Sequence, residues 1–365
     1  MENMIKNEKN IYYWTSAFCI DDDTIWFIYG KRCILCKYTI SIDENQIIGV
    51  IPVANPTQEN LFQKIILAQN KLFIIPCWAN DIVVYDLTTD RFNIIKIKPC
   101  SGLKFSGAYV YKNKIVCIPA SYEYVVSIDI LDMKINYEYN VKRIKEEEHI
   151  DYFNITDILG KQKVILCSPQ SDKIYIYDME KQTLVGENVC TEKNGKSFEY
   201  VVCIDEQIVL CDNKKHEIIT YNYRTKRVEY IFWPLGKKTV AVLRVGSEIV
   251  IDDYETSWVG IFNKNFELLT EIKNEIVKNR KYYYSYLIGN CGSDDRQNIY
   301  FNNCDMSFNW VQDGKIKKKV RLQMSEEDRK YIKENLYITK NDINIENYFY
   351  RLNDFLEKII LQNNF

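Results

Sequence analysis

Histidine is almost missing from this chain: His149 and His216 are the only two in 365 residues. That excludes catalytic or metal sites built on several imidazoles. No excess of either charge exists, since 48 Lys and Arg face 50 Asp and Glu. A surface dominated by nucleic-acid binding is thereby excluded, because counterion release needs concentrated basic charge. No run approaches the ~20 apolar residues of a membrane span. The segment 1–10 is polar, and no apolar stretch of signal-peptide length follows it. Twelve Cys is far below the density of a disulfide-stapled scaffold. A cytoplasmic protein with reduced thiols is expected, with neither nucleic acid nor membrane as partner. Also missing are the Gly-x-Ser-x-Gly elbow, the Walker loop and Gly-x-Gly-x-x-Gly. What is abundant is tyrosine, 28 residues, in a composition that is 47% hydrophobic and 27% charged. Such a chain buries a large core.

The chain repeats itself. Lys71-Leu-Phe-Ile-Ile-Pro76, Lys114-Ile-Val-Cys-Ile-Pro119, Lys163-Val-Ile-Leu-Cys-Ser168 and Gln207-Ile-Val-Leu-Cys-Asp212 align with Thr24-Ile-Trp-Phe-Ile-Tyr29, Glu248-Ile-Val-Ile-Asp-Asp253 and Asn298-Ile-Tyr-Phe-Asn-Asn303. The seven starts are 47, 43, 49, 44, 41 and 50 residues apart, the period of propeller blades. A second column stands 15 residues after each start: Thr39, Asp86, Asp129, Asp178, Asn222, Asn263 and Asp313, usually behind a large apolar residue such as Tyr38, Tyr85, Tyr177 or Tyr221. An offset that holds while the intervening loops change length is not chance.

Each copy divides into four short runs rich in Ile, Val, Tyr and Phe, punctuated by Asn, Asp, Gly and Pro. The Asp/Asn column reads as structural, because an Asp or Asn opening a turn bonds its own backbone two residues on. All seven prolines (Pro52, Pro56, Pro76, Pro99, Pro119, Pro169 and Pro234) fall after a second run or between copies, where no ladder needs their missing N–H. Seven four-stranded units that cannot bury their faces alone bury one another when arranged radially. The expected fold is all-β: a seven-bladed β-propeller over residues 12–321, with 1–11 as a leader and 322–365 as a helical extension.

Val84-Tyr85-Asp86, followed by Phe92 where Trp is usual, resembles a Kelch-type blade, as does Ile176-Tyr177-Asp178 with Leu184. The resemblance covers about residues 12–321. It departs from the Kelch pattern at the double glycine, replaced by Ile75-Pro76, Ile118-Pro119 or Asp252-Asp253. In the extension, Ser325-Glu-Glu-Asp328 reads as a capping box opening a helix. Ile345, Phe349, Leu352, Leu356, Ile359 and Ile360 have helical spacing in a second one.

Candidate chemistry is thin. Cys33-Ile-Leu-Cys36 has redox or zinc spacing, but no second such pair follows it. Neither histidine sits in a nucleophile motif, and the short runs Lys237-Lys238 and Lys317-Lys-Lys319 read as solvated surface. The ends of the second runs show a gradient, apolar in copies one to three and polar in five to seven. The Kelch-like propeller implies that these positions lead into loops on a ligand-binding face. Asp212, Asp252, Asp253, Asn302, Asn303 and Asp305 would then share one sector, with Trp78, Tyr122, Tyr254 and Trp258 in the same loop set. Turn formation accounts for the same residues equally simply. The expected function is a non-enzymatic scaffold for a protein or peptide, with no cofactor and no metal. A sugar- or small-ligand-binding propeller and a carboxylate-based hydrolase or lyase are the alternatives.

Overall fold

In a computed structural model, the residues described are 15–29, 32–53, 61–154, 157–189, 198, 200–212, 217–232, 240–253, 258–273, 299–302 and 307–336. They form a seven-bladed β-propeller. Blade 1 is β1 (Thr15–Asp21), β2 (Thr24–Tyr29), β3 (Ile34–Thr39) and β4 (Glu44–Val50), and blade 2 is β5 (Phe62–Ala68), β6 (Lys71–Pro76), β7 (Ile82–Asp86) and β8 (Arg91–Ile95). Blade 3 is β9 (Phe105–Tyr111), β10 (Lys114–Pro119), β11 (Tyr124–Asp129) and β12 (Ile135–Asn140). A short helix, α1 (Lys142–Glu147), precedes blade 4, which is β13 (Asp157–Leu159), β14 (Lys163–Cys167), β15 (Lys173–Asp178) and β16 (Thr183–Asn188). Blade 5 is β17 (Tyr200–Ile204), β18 (Gln207–Asp212), β19 (Glu217–Asn222) and β20 (Val228–Phe232), and blade 6 is β21 (Val240–Val245), β22 (Glu248–Asp253), β23 (Trp258–Phe262) and β24 (Leu268–Lys273). Blade 7 shows β25 (Ile299–Asn302), β26 (Ser307–Gln312) and β27 (Lys315–Arg321). Each blade is an antiparallel meander in chain order. The stretch 274–298, where the first strand of blade 7 is expected, lies outside the described residues.

The recurring apolar run of each copy is the second strand, and its continuity follows from having a neighbour on both faces. Alternate residues point to opposite faces of a strand. In β6, Leu72 and Ile74 join the core shared with blade 1, whereas Phe73 and Ile75 join the core shared with blade 3. In β18, Ile208 and Leu210 face blade 4, and Val209 and Cys211 face blade 6. The fourth strands lie outermost and are largely exposed, β8 and β16 most plainly. Blade 7 closes on blade 1 through Phe308, whose ring lies 5.2 Å from that of Phe18 and 6.1 Å from that of Phe27.

The Asp/Asn column forms turns. Asp86 Oδ1 accepts from Thr88 and Thr89 N–H, Asp129 Oδ1 from Leu131 and Asp132, Asp178 Oδ1 from Glu180 and Lys181, and Asn222 Oδ1 from Arg224 and Thr225. Four residues after the column the chain turns left-handed, at Asp43, Asp90, Met133, Gln182 and Lys226 (φ 54°, 53°, 57°, 52° and 60°). The column Tyr is buried and donates to a carboxylate: Tyr38 to Asp43 (2.7 Å), Tyr85 to Asp90 (2.9 Å), Tyr177 to Glu138 (2.9 Å) and Tyr221 to Glu187 (2.5 Å).

By its contacts the chain separates into two units, Met1–Met324 and Ser325–Phe365. The second contains α2 (Glu326–Leu336), whose start is a reciprocal capping box: Asp328 N–H donates to Ser325 Oγ (3.0 Å) and Ser325 N–H to Asp328 Oδ2 (2.9 Å). The second expected helix, 345–361, lies outside the described residues. No helix among the described residues is long and apolar enough to cross a membrane.

Candidate functional site

In an up-and-down meander the connections between strands two and three, and those from strand four to the next blade, emerge on the same side. This is the face on which the polar sector was expected. Asp212, Asp252, Asp253 and Asn302 do end the second strands of three consecutive blades. Asp212 is fully buried. Asp252 pairs with Ala241 and Val259, and Asp253 with Val240 and Trp258, across the β22 ladders. The side chains of Asp252, Asp253 and Asn302, and the whole of Asn303, Tyr254 and Asp305, lie outside the described residues. Trp258 is 2% exposed, its ring 6.3 Å from Phe262 over Gly260. Tyr122 is also 2% exposed; it stacks edge-on to Phe105 at 5.4 Å and donates to Lys98 O at 3.2 Å. Both rings are packing groups and present no surface to a ligand. Trp78, at 44% exposure, is open to solvent.

Around Trp78 the face is built by main-chain links that pass from loop to loop. Trp78 N–H donates to Leu61 O (3.1 Å), Lys104 N–H to Cys77 O (2.8 Å) and Ala120 N–H to Lys104 O (2.8 Å). The ammonium of Lys145, from α1, then donates to Ala120 O and to Tyr122 O (3.3 Å). These links make one continuous rim of the blade 2 and blade 3 loops and the helix.

The helix departs from the repeat, and its formation is local. Asn140 Oδ1 accepts from Lys142 N–H (2.8 Å), Arg143 pairs with Glu147 one turn on (2.7 Å), and Val141 and Ile144 pack into the core between blades 3 and 4. His149 ends it in the left-handed conformation (φ 54°), followed by an Ile150 N–H bond to Lys145 O (2.8 Å). The histidine is exposed and serves as a helix terminator. Beside α1 opens a cleft of about 510 Å³ lined by Ser121, Glu123, Lys142, Lys145, His149 and Asp151 among others. Lys142 and Glu123 pair there at 3.4 Å. Lys145 is 8% exposed, and burial brings its ammonium down to about 8. In the sequence it is the first letter of a charged run, Lys145-Glu-Glu-Glu148. The only signal that it turns inward is its spacing from Val141 and Ile144.

The inner strands hold a second polar group that the sequence did not disclose. Asp157 of β13 accepts from Cys203 N–H of β17 (2.7 Å) and from its neighbour Ile158 N–H (2.7 Å), and Arg244 Nε of β21 lies 3.7 Å from it. Burial raises the Asp157 carboxyl above its ordinary range, against the opposing pull of Arg244 and the two amides. Three blades are thus tied across the interior by residues 46 and 87 positions away from Asp157. Cys33 and Cys36 are buried, and burial pushes the Cys33 thiol up to about 12, above the range of a reactive thiolate. The nine described cysteines form no disulfide, and no group of three or more His, Cys, Asp or Glu among the described residues is placed to hold a metal ion.

No family model matches the chain, and no curated protein matches it in sequence. Solved structures share its fold. A streptogramin B lyase is similar at TM-score 0.60 and 13% identity, over 86% of this chain and 96% of that one. A catalytically inactive His-to-Ala variant of virginiamycin B lyase from Staphylococcus aureus, with quinupristin, gives 0.59 and 12% over 82% and 94%. A chain of the mitotic checkpoint complex gives 0.54 and 6% over 87% and 89%. At these identities the likeness is one of fold.

Proposed function

We propose that this propeller is a non-enzymatic scaffold that binds a protein or peptide on the face formed by Trp78, the blade 3 loop and α1. The observation that carries this reading is the rim itself. An exposed indole stands at one end and an open cleft lined by charges of both signs at the other, all on backbone held by consecutive hydrogen bonds. Aromatic anchors beside a polar, adaptable margin suit a polypeptide partner. The lysine best placed for chemistry, Lys145, is engaged with two main-chain carbonyls, which supports a positioning role. The Kelch-like character of blades 2 and 4 belongs to the same proposal, supported by the Tyr85 and Tyr177 columns. A second reading, a sugar ligand stacked on Trp78, is favoured only by the exposure of that ring.

The test is a pull-down from the native cell with wild-type protein and with Trp78→Ala combined with Lys142→Glu. Loss of a partner from a variant that unfolds like wild type supports the face. Retention of every partner refutes it. Binding of an oligosaccharide panel that Trp78→Ala abolishes would favour the sugar reading instead.

A further inference from the structure

The cations of this nearly neutral chain are unevenly spread. β27 reads Lys315-Ile-Lys-Lys-Lys-Val-Arg321, with Lys315, Lys317, Lys318, Lys319 and Arg321 exposed and no carboxylate in the strand. Five of the other six outer strands carry one: Glu44, Glu138, Glu187, Glu229 and Glu271. Among the described residues β26 is the only sheet neighbour of β27, so half of its N–H and C=O groups point away from the ladder. Lys315 and Lys317 have no ion-pair partner among the described residues, and Lys318 has only the face of Trp310, 5.2 Å from the ring centroid. Beside the start of the strand lies apolar surface. Leu268 and Leu269 of β24 are 45% and 44% exposed, and a Cβ on Gly314 would stand 2.5 Å from Leu269, which places that leucine against the β26–β27 turn.

We propose that β27 is a docking edge that takes an extended acidic segment of a protein partner, alternating carboxylate and apolar residues, as an added strand. The proposal rests on the scaffold reading but uses a different surface. An added strand satisfies the outward backbone groups, and alternate side chains supply specificity. The lysines select carboxylates by charge complementarity. A single seven-residue strand spans roughly 23 Å at about 3.3 Å per residue, enough for a short peptide. A nucleic-acid backbone would run beyond it onto outer strands that carry Glu271 and Glu44, where like charges repel.

The experiment measures fluorescence anisotropy of a labelled peptide alternating Glu with Val and Leu. The comparisons are its N-methylated analogue, polyglutamate and a short oligothymidylate, each against wild-type full chain. The expected result is saturable binding that falls at least about tenfold with the analogue, with polyglutamate and with the Lys315→Glu, Lys317→Glu, Lys318→Glu triple variant. The neutral Lys→Gln triple variant, which carries less repulsion, should fall between, and both variants should unfold like wild type. Equal binding of the N-methylated peptide overturns strand addition. Equal or tighter binding of oligothymidylate overturns the peptide in favour of a polyanion. Absence of peptide binding, or binding that the charge reversal leaves unchanged, overturns the docking edge altogether. A partner captured through Trp78 and α1 while the peptide fails at β27 would sink this proposal and leave the scaffold standing.

Discussion

Glu138 of blade 3 accepts the phenol of Tyr177 of blade 4 at 2.9 Å, while its other oxygen takes Lys114 Nζ at 3.1 Å. The carboxylate is only 3% exposed, and it spans two blades 39 residues apart in sequence. One blade further on, Tyr221 and Lys226 of blade 5 both donate to Oε1 of Glu187 of blade 4. These two carboxylates anchor Tyr177 and Tyr221 across blades, whereas Tyr38 and Tyr85 bond Asp43 and Asp90 of their own turns.

Removing Glu138 leaves a buried phenol and a lysine without their acceptor. Glu138→Ala should cost about 2–3 kcal/mol and Tyr177→Phe about 1 kcal/mol. The double variant should show a coupling of about 1 kcal/mol in a denaturant-unfolding cycle. Additive losses would show that the contact contributes no energy of its own.

Buried tyrosines, in the Tyr column and outside it, set the alkaline limit. Burial first, then carboxylate neighbours, raise Tyr85 and Tyr221 to about 12, and burial does the same to Tyr175; Tyr38, Tyr122 and Tyr177 are also raised. An unfolded phenol ionises near 10. The unfolded chain therefore loses protons first, and the stability held below pH 10 falls as the pH rises toward about 12. Tyrosinate absorbance and circular dichroism, followed together, should change in one transition for these residues. A full complement of tyrosinate in the folded state would contradict this.

The turn column gives a graded test. Asp178→Ala removes the acceptor for Glu180 and Lys181 N–H and should cost about 1 kcal/mol. Asp178→Asn should be nearly neutral, since Asn222 and Asn263 build the same turn in blades 5 and 6. Thermal melts of the two variants suffice, and an equal loss in both would sink the turn explanation.

Closure of the ring depends on Phe308. Its replacement by Ala removes the contacts to Phe18, Phe27 and Phe301 (4.9 Å) and should cost about 3–5 kcal/mol. Hydrogen exchange should then rise first in blades 1 and 7. Uniform loosening of all blades would instead mean that the ring opens as one unit.

The sequence alone carried the blade number, because the repeat recurs along the chain, and the second-strand register, the turn column and the Ser325–Asp328 cap, because each depends on neighbours a few residues apart. Period-two alternation and Asx chemistry are written locally. The ring decided which residues are accessible and which meet. It buried Tyr122 and Trp258, which read as loop aromatics, and it turned Lys145 inward out of the charged run Lys145–Glu148. It also brought Asp157 to Cys203 and Glu138 to Tyr177, pairs on neighbouring blades, 46 and 39 residues apart and visible in no local pattern. The lysines of β27 show both halves: composition marks the run, but only its outermost position in blade 7 leaves that strand with a single sheet neighbour among the described residues.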